Sequence, residues 1–315
     1  MLKIFKYNFY YATFMPLQDL QLKDPLQPAG YLDVLYYYAR VAPLLRTFLK
    51  GKSLATKIHL PKGNIPFFLR RATTDGLLKV DDLITDVDLS MLKLRVNALA
   101  DVRGQLTEKQ QRIWSYFVPR KFIDFFYATN GESAGASLER LFFDIDRKGV
   151  DADIAQQVAA ELIDVIAHDT QFRDIVGSFK FYVQWTGHSF HVYLLLNKTL
   201  PASFYERFIS YGKQDPLRSF TGRWVAHLAK TVYPKTQAGH EKREGWITID
   251  PSQSPSGKLA RAPFSLHVNS PEGFDGIALP VDIKRLSDKT LIKDLQSFTP
   301  KKVLDNLDQF KRLLS

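Results

Sequence analysis

Two aspartates stand one residue apart inside an otherwise apolar run, Leu141–Val150, LFFDIDRKGV. Alternate residues of a strand point to one face, so a strand here turns Asp144 and Asp146 the same way. Placing two like charges together in an apolar setting is costly unless a cation lies between them. Hard divalent ions such as Mg²⁺ or Mn²⁺ take oxygen ligands of this kind, which makes a metal site the sharp reading of the motif. The plain alternative is an Asp-x-Asp at a strand end that caps the following helix or lies in water. The motif is short, so other segments must decide between the two.

The chain has 315 residues, enough for one large domain or two closely joined lobes. Hydrophobic residues make up 45% and charged residues 24%, values of a folded globular protein, which argues against extended disorder. A formal net charge of +10 points to a polyanionic partner, of which nucleic acid is the commonest. There is no Cys, which excludes disulfides, zinc fingers and thiolate metal sites. The N-terminal MLKIFKYNFYYATFMPLQDLQ is aromatic and apolar, but charge and proline interrupt it before it could span a bilayer. It reads as part of the fold. The expectation is a soluble, cytoplasmic chain with no membrane partner.

Periodicity gives a coarse map. Residues Gly30–Lys50 read as two short helices broken near Pro43, followed by a strand at Thr56–Leu60, a Pro61-Lys62-Gly63-Asn64 turn and the segment from Pro66 to Arg71. Aliphatic and polar residues alternate from Asp82 to Val96, Gln105–Tyr116 looks helical, and Lys121–Gly131 is an apolar stretch ahead of a loop. In the second half Arg140–Asp146 reads as a strand and Asp151–Asp169 as a helix with Ile154, Val158, Leu162, Val165 and Ile166 on one stripe. Phe179–Trp185 and Phe190–Leu196 form a hairpin about Thr186-Gly187-His188-Ser189. Ser203–Lys230 looks largely helical, Trp246–Asp250 and Ala262–Val268 read as strands, and the C-terminal leucines fall at helical spacing. The fold class is α+β, mixed α/β with hairpins. No GxGxxG or Walker A segment speaks for a dinucleotide or P-loop fold.

Three segments, FFDIDRKG, WTGHSFHVYL and ITIDPSQSPSGKLARAPFSLHV, resemble in order and character the catalytic motifs of the archaeo-eukaryotic primases. The resemblance implies that family's catalytic fold, with mixed and antiparallel sheets flanked by helices. It implies that Asp144, Asp146 and Asp250 hold two divalent ions, Mg²⁺ or Mn²⁺. By the same match Thr186, Gly187, His188, Ser189 and His191 bind the nucleotide triphosphate, joined by Lys258, Arg261, Ser265 and His267. The chemistry suits those residue types. Nucleotidyl transfer asks the protein mainly for positioning and charge neutralisation, and two metals about 3.5–4 Å apart clamp the attacking and leaving oxygens. Each residue also has a plain reading: His191 as a core imidazole, Arg261 as a solvated charge, Asp250 as a turn former before Pro251.

The N-terminal half, YLDVLYYYARVAPLLRTFLKGKSLATKIHLPKGNIPFF, looks like the opening of the ligase D polymerase domain and its stand-alone archaeal relatives, which act in non-homologous end joining. That match implies base stacking by Phe67 and Phe68, a use aromatic faces serve well. It implies DNA phosphate contact by Lys52 and Lys57, with Lys50 and Lys62 in the same run. Packing in the core and solvated lysines are the plain counterparts. Departures exist as well. His188 stands where relatives often have Arg or Lys, and Ser189 where they often have Gly. Pro263-x-Ser-Leu-His is nearer the replicative primase small subunit, whose Cys-based zinc element is missing here. About Thr74–Arg120 and the C-terminal helix have no clear counterpart.

The domain plan that follows is an N-terminal, DNA-contacting lobe at 1–130, a primase-polymerase core at 131–288 and a C-terminal packing helix at 289–315. The implied activity is template-directed addition of dNTPs or NTPs to a nucleic-acid 3′ end, in priming, replication or repair, by a small stand-alone primase-polymerase. DNA template and primer, or RNA, are the implied partners, with a ligase, helicase or large primase subunit as protein partners. Two other classes stand beside it. A catalytically silent single-strand or DNA-end binding subunit gains nothing from three convergent carboxylates, and a metal-dependent nuclease has no use for a triphosphate motif around His191.

Overall fold

The computed structural model describes residues 34–59, 67–71, 76–268 and 273–314, with the backbone alone for 59 and 67–70. The N-terminal aromatic segment and the expected turn at Pro61-Lys62-Gly63-Asn64 lie outside the described residues. The strands are β1 (Leu54–His59), β2 (Phe67–Arg70), β3 (Ile123–Ala128), β4 (Leu138–Lys148), β5 (Phe179–Trp185), β6 (Phe190–Leu200), β7 (Thr236–Ala238), β8 (Trp246–Asp250), β9 (Leu259–Arg261), β10 (Leu266–His267), β11 (Gly276–Ile277) and β12 (Leu279–Val281). A six-stranded sheet runs β12-β5-β6-β4-β8-β7, antiparallel except for β7 with β8. A four-stranded antiparallel sheet runs β2-β1-β3-β9, and β10 pairs with β11. The fold is mixed α+β, as composition and periodicity indicated.

Strand β4 owes its central place to its sequence. Its pleat puts Leu141, Phe143 and Ile145 on one face, all fully buried, and Arg140, Phe142, Asp144 and Asp146 on the other. The apolar face is covered by the helices Ala152–His168 and Phe220–Thr231, with Phe143 packed edge-on against Trp224 at 5.8 Å. Asp169 ties this layer together, accepting from Phe172 N at 2.9 Å and from Trp224 Nε1 at 2.9 Å. The other face meets the four-stranded sheet through an aromatic core. Phe48 lies 4.6 Å from Tyr182 and 5.9 Å from Tyr127, and Tyr182 lies 5.3 Å from Tyr193. The carboxylates sit on this inner face, beyond Phe142.

Several boundaries differ from the sequence expectation, each for a physical reason. Residues 34–45 form one helix, Val34–Leu45, and Pro43 lies within its last turn instead of dividing it. The alternating segment 82–96 is helical, Val80–Asp86 and Leu89–Leu94, the second capped by Asp88 accepting from Met91 N at 2.7 Å. Ser203–Lys230 is helical only in pieces, a π-turn at Tyr205–Ile209, a 3₁₀ turn at Pro216–Arg218 and the helix Phe220–Thr231. The C-terminal segment forms two short helices, Pro300–Asp305 and Leu307–Lys311, which carry Leu304 and Leu307, while Leu313 and Leu314 lie beyond the second. By contrast Phe179–Trp185 and Trp246–Asp250 keep the bounds read from the sequence.

The expected strand Ala262–Val268 is interrupted. Pro263 and Phe264 make a turn that ends β9 and starts β10, and Phe264 has φ +65°, a conformation that side-chain-bearing residues rarely adopt. Such a residue costs about 1–3 kcal/mol and persists where its surroundings over-determine it. Here Phe264 N donates to Ala278 O at 2.7 Å, Phe264 O accepts from Tyr37 Oη at 2.9 Å, and the buried ring packs on Phe310 at 5.4 Å. Phe310 in turn meets Phe298 at 5.6 Å, so the C-terminal helices hold the turn that carries Ser265 and His267. Phe310→Ala is expected to destabilise the protein by about 3–5 kcal/mol, the usual cost of truncating a buried Phe. Urea denaturation of the wild type and the variant measures it.

Candidate active site

The candidate site is set by strand register. Asp144 on β4 lies opposite His191 on β6 and opposite Asp250 on β8, so two carboxylates and an imidazole occupy one row across three strands. Opposed residues of antiparallel strands have Cα atoms about 4.5–5.5 Å apart, close enough for their side chains to interact. His191 Nε2 lies 3.2 Å from Asp144 Oδ1. Asp146, two residues on, pairs with Lys242 Nζ at 2.6 Å. Asp250 Oδ1 accepts from Ser252 N at 2.8 Å, an Asx turn that aims the carboxylate at the end of β8. Where β8 stops, Ser254 takes over its pairing, accepting from Phe142 N at 2.9 Å and donating to Phe142 O at 3.1 Å. That side chain stands in for a strand and pins the loop behind Asp250.

The electrostatics show how crowded the negative charge is. Burial and the neighbouring Asp144 raise the Asp146 carboxyl to a pKa of about 6, although Lys242 opposes them. Burial likewise raises Asp250, helped by Asp144 and opposed by the Ser252 amide. Burial would also raise Asp144, but His191, Lys242 and Arg261 outweigh it and hold that carboxyl below its ordinary value. Burial works against the Lys242 ammonium, while Asp146, Asp144 and Asp250 together hold its pKa above that of a free lysine. The row therefore contains more carboxylate than its own cations neutralise.

The other expected residues fall into separate groups. Thr186, Gly187, His188 and Ser189 form the tight β5–β6 turn, and the Thr186 and Ser189 hydroxyls are buried in it. Thr186 Oγ1 accepts from Ser189 N at 2.9 Å and donates to Ser189 O at 3.2 Å, while Ser189 Oγ donates to Ile145 O on β4. The Thr186 hydroxyl thus closes the turn and the Ser189 hydroxyl joins it to the sheet. Gly187 has φ +92°, and a Cβ there would meet Gly276 C and His267 Cβ at 2.9 Å. His188 approaches Arg147, whose Nη2 is 3.3 Å from His188 Nδ1, and its ring centroid is 5.9 Å from that of His267. Burial, Arg147 and His267 all lower the His188 pKa. His267 itself pairs with Asp275 at 3.2 Å.

Arg261 is nearly buried. It binds the fully buried Asp124 at 2.8 Å, lies 5.2 Å from the Phe126 ring centroid, and donates to Leu266 O at 3.0 Å. Lys57 completes that cluster from β1, 3.5 Å from Asp124 and 5.5 Å from the centre of the Phe126 ring. Ser265 is structural in its contacts, accepting from Phe125 N at 2.7 Å. Lys258 is exposed ahead of β9, its carbonyl bound by Thr129 N at 3.0 Å. Lys52 is buried against Glu139 and Arg140, with its pKa lowered to about 7 by burial and by the Arg140 and Lys79 charges. Phe67 and Phe68 lie on β2, where the register sets them opposite His59 and Ile58.

Sequence reasoning did not find Lys242, Ser254, Asp124 or Gln184. Lys242 and Ser254 lie in polar loops whose contacts are long-range, and no local period marks them. Among the described residues no three His, Cys, Asp or Glu side chains converge closely enough, as placed, to ligate one ion. Asp250 and Asp146 turn instead to Ser252 and Lys242. No helix among the described residues is long and apolar enough to cross a membrane.

No family model matches the chain, and no curated protein matches it by sequence. Among solved structures it is similar to the polymerase domain of Mycobacterium tuberculosis ligase D, determined in complex with DNA. The two chains are 17% identical and superpose with a TM-score of 0.55, covering 94% of this chain and 98% of the other. At that identity the likeness establishes the fold.

The turn geometry can be tested directly. Gly187→Ala forces a Cβ into Gly276 and His267 at a backbone angle that favours glycine. It is expected to cost about 1–3 kcal/mol, the range for a side-chain-bearing residue held at unfavourable φ, read as a lowered midpoint in urea.

Proposed function

We propose that this chain is a nucleotidyltransferase of the primase-polymerase type, extending a nucleic-acid 3′ end with dNTPs or NTPs. The observation that carries the reading is the register of Asp144 with both His191 and Asp250, with Asp146 one pleat away. The ligase D likeness supports it, because that domain is a polymerase domain determined with DNA and the superposition spans nearly the whole chain. The net charge of +10 suits a nucleic-acid partner.

The carboxylates fit a divalent-metal role by their chemistry. They form an all-oxygen donor set, two of the three have raised pKa values from burial and mutual repulsion, and an ammonium already sits 2.6 Å from one of them. Asp144, Asp146 and Asp250 would hold Mg²⁺ or Mn²⁺ after side-chain rotation away from Lys242 and Ser252. When bound, such ions lower the pKa of the attacking hydroxyl and neutralise charge on the transferred phosphoryl group. His191 would donate from its ring to a phosphate oxygen, as it now does toward Asp144. Arg261 and Lys57, fixed by Asp124, would set a positive wall across strands β1, β3 and β9 of the four-stranded sheet. The Thr186–Ser189 turn would act as a rigid support, since the N–H groups of Thr186, His188 and Ser189 are bonded within it and the Ser189 hydroxyl ties it to β4.

A second reading has an observation of its own. The three carboxylates are turned apart and Lys242 neutralises one of them, as a silent nucleic-acid-binding subunit would tolerate. Incubating the protein with Mg²⁺ or Mn²⁺, dNTPs or NTPs, and templates with and without a primer separates the two. Wild type is expected to synthesise, while Asp144→Ala and Asp250→Ala fall to background with DNA binding retained. Tight DNA binding with no synthesis in any lane selects the binding subunit, and activity retained by Asp144→Ala rejects the site.

Lys242 gives an independent check. Removing its charge with Lys242→Met is expected to tighten Mn²⁺ binding to the free protein roughly twofold to fivefold, the scale of one half-exposed ion pair. Electron paramagnetic resonance of free Mn²⁺ measures it, and an unchanged isotherm places the ion away from Asp146.

A further inference from the structure

The face that carries the acids continues along β8 beyond them, and at its far end an aromatic side chain stands partly uncovered. The pleat of β8 puts Trp246, Thr248 and Asp250 on one side, with Ile247 and Ile249 fully buried on the other. Trp246 lies opposite Lys148 of β4. Four residues separate it from Asp250, about 13 Å along the strand. Of the chain's four tryptophans, Trp114, Trp185 and Trp224 are buried and Trp246 is not. Trp246 lines a cavity of about 340 Å³ together with Tyr211, Lys213, Gln237, Glu241 and Arg243.

The cavity and the acid row are built from the same pieces. Gln237 on β7 lies opposite Thr248, which lies opposite Asp146, so the three share one line across the sheet. Gln237 Nε2 donates to Thr248 Oγ1 at 3.1 Å, and both side chains donate to Glu241 O. The two residues after that fixed carbonyl part company. Lys242 reaches back to Asp146 at 2.6 Å, while Arg243 turns to Trp246, 5.7 Å from its ring centroid. Tyr211 lies over Gly239, where a Cβ would stand 3.6 Å from its ring.

We infer that this cavity is a subsite for one nucleotide of a single-stranded nucleic acid, with the base against Trp246 and the phosphate on Arg243 and Lys213. It rests on the nucleic-acid partner proposed above and adds where that strand runs beyond the acids. A partly open Trp on the face that bears the acids offers a π surface on which every base can stack. The volume falls at the lower end of small-molecule clefts, about 300–1,000 Å³. Within the cavity Lys213 and Arg243 face the single carboxylate of Glu241, at 2.5 Å and 3.9 Å. All three side chains are about half exposed or more, so a phosphate displaces Glu241 at little cost. An adjoining cavity that shares Tyr211 sets Arg207 and Arg218 against Glu206 and Asp215, and offers an anion no net attraction.

Binding, measured on the full-length protein with single-stranded oligothymidylate, tests the subsite apart from synthesis. The oligonucleotide is expected to quench tryptophan emission, and Trp246→Phe to lose most of that quench. By anisotropy of a labelled oligothymidylate, Trp246→Ala is expected to weaken binding about fivefold to a hundredfold, the worth of stacking one base, while Trp246→Phe stays within about twofold. Arg243→Gln, at an exposed position, is expected to weaken binding and to lower the slope of log K against log salt by about one. If Trp246→Ala fails to fold, the wild-type quench and Arg243→Gln decide. Binding without quench overturns the inference, as does wild-type affinity and slope in Arg243→Gln and Trp246→Ala, or no binding by the wild type. Quenching without primer extension removes the proposed activity and leaves the subsite standing, and extension without quenching does the reverse.

Discussion

Everything around the candidate site follows from carrying two carboxylates along the central strand of a sheet whose other positions are apolar. Moving one carboxylate into such a setting costs several kcal/mol unless it is paired and hydrogen-bonded. Strand β4 cannot supply the compensation itself, since its own pleat alternates Phe and Ile with the acids. Its neighbours supply it. β6 brings His191 to Asp144, and the loop ahead of β8 brings Lys242 to Asp146. The compensation is incomplete, since Asp250 adds a third acid to the row and two of the three carboxyls remain raised in pKa. A sheet arranged for stability alone would have no reason to collect that excess of negative charge.

The polar residues near the row divide into those that bear chemistry and those that build the frame. Ser189, Ser254 and Ser265 each bond to backbone of a neighbouring strand, and each does so where regular pairing is interrupted. Thr186 closes its own turn. Their hydroxyls satisfy buried backbone groups that would otherwise each cost about 1–3 kcal/mol. His191 is directed instead at Asp144, and Arg261 and Lys57 at Asp124. Gly187 and Gly276 allow that turn to lie against the β10–β11 hairpin with no side chain between, which sets the distance from the hairpin tip to His267.

The sequence made the central sheet legible because its strands carry strong, local signals. The Asp-x-Asp pair, the Phe179–Trp185 and Phe190 hairpin and the Trp246–Asp250 strand were all readable from alternation and turn residues. The break at Pro263-Phe264 was not, because a positive φ at that position ordinarily calls for Gly, and only tertiary contacts to Phe310 and Tyr37 hold a Phe there. Lys52 reads as a surface lysine in FLKGKS, yet the fold buries it beside Glu139 and Arg140. Lys242 was equally silent, since its partner lies 96 positions away in the chain. Side chains whose role depends on a distant partner leave no period in the sequence.

Asp124 shows how the two sheets are made to act as one body. It is buried on β3, and it accepts from Arg261 on β9 and from the Val268 amide beyond β10 while facing Lys57 on β1. The Arg261 carbonyl accepts from Gln184 of β5 at 3.1 Å, and Gln184 lies opposite His191 in the six-stranded sheet. Tyr182 holds the other end of that amide, donating to Gln184 Oε1 at 3.0 Å. One buried amide thus bridges the sheet that bears the carboxylates and the sheet that bears the basic wall. Because both ends of Gln184 are bonded and the side chain is fully buried, the bridge has little freedom to slide. The spacing between the acid row and the cations is therefore fixed by packed core, where side chains keep single rotamers, and not by the loops around it.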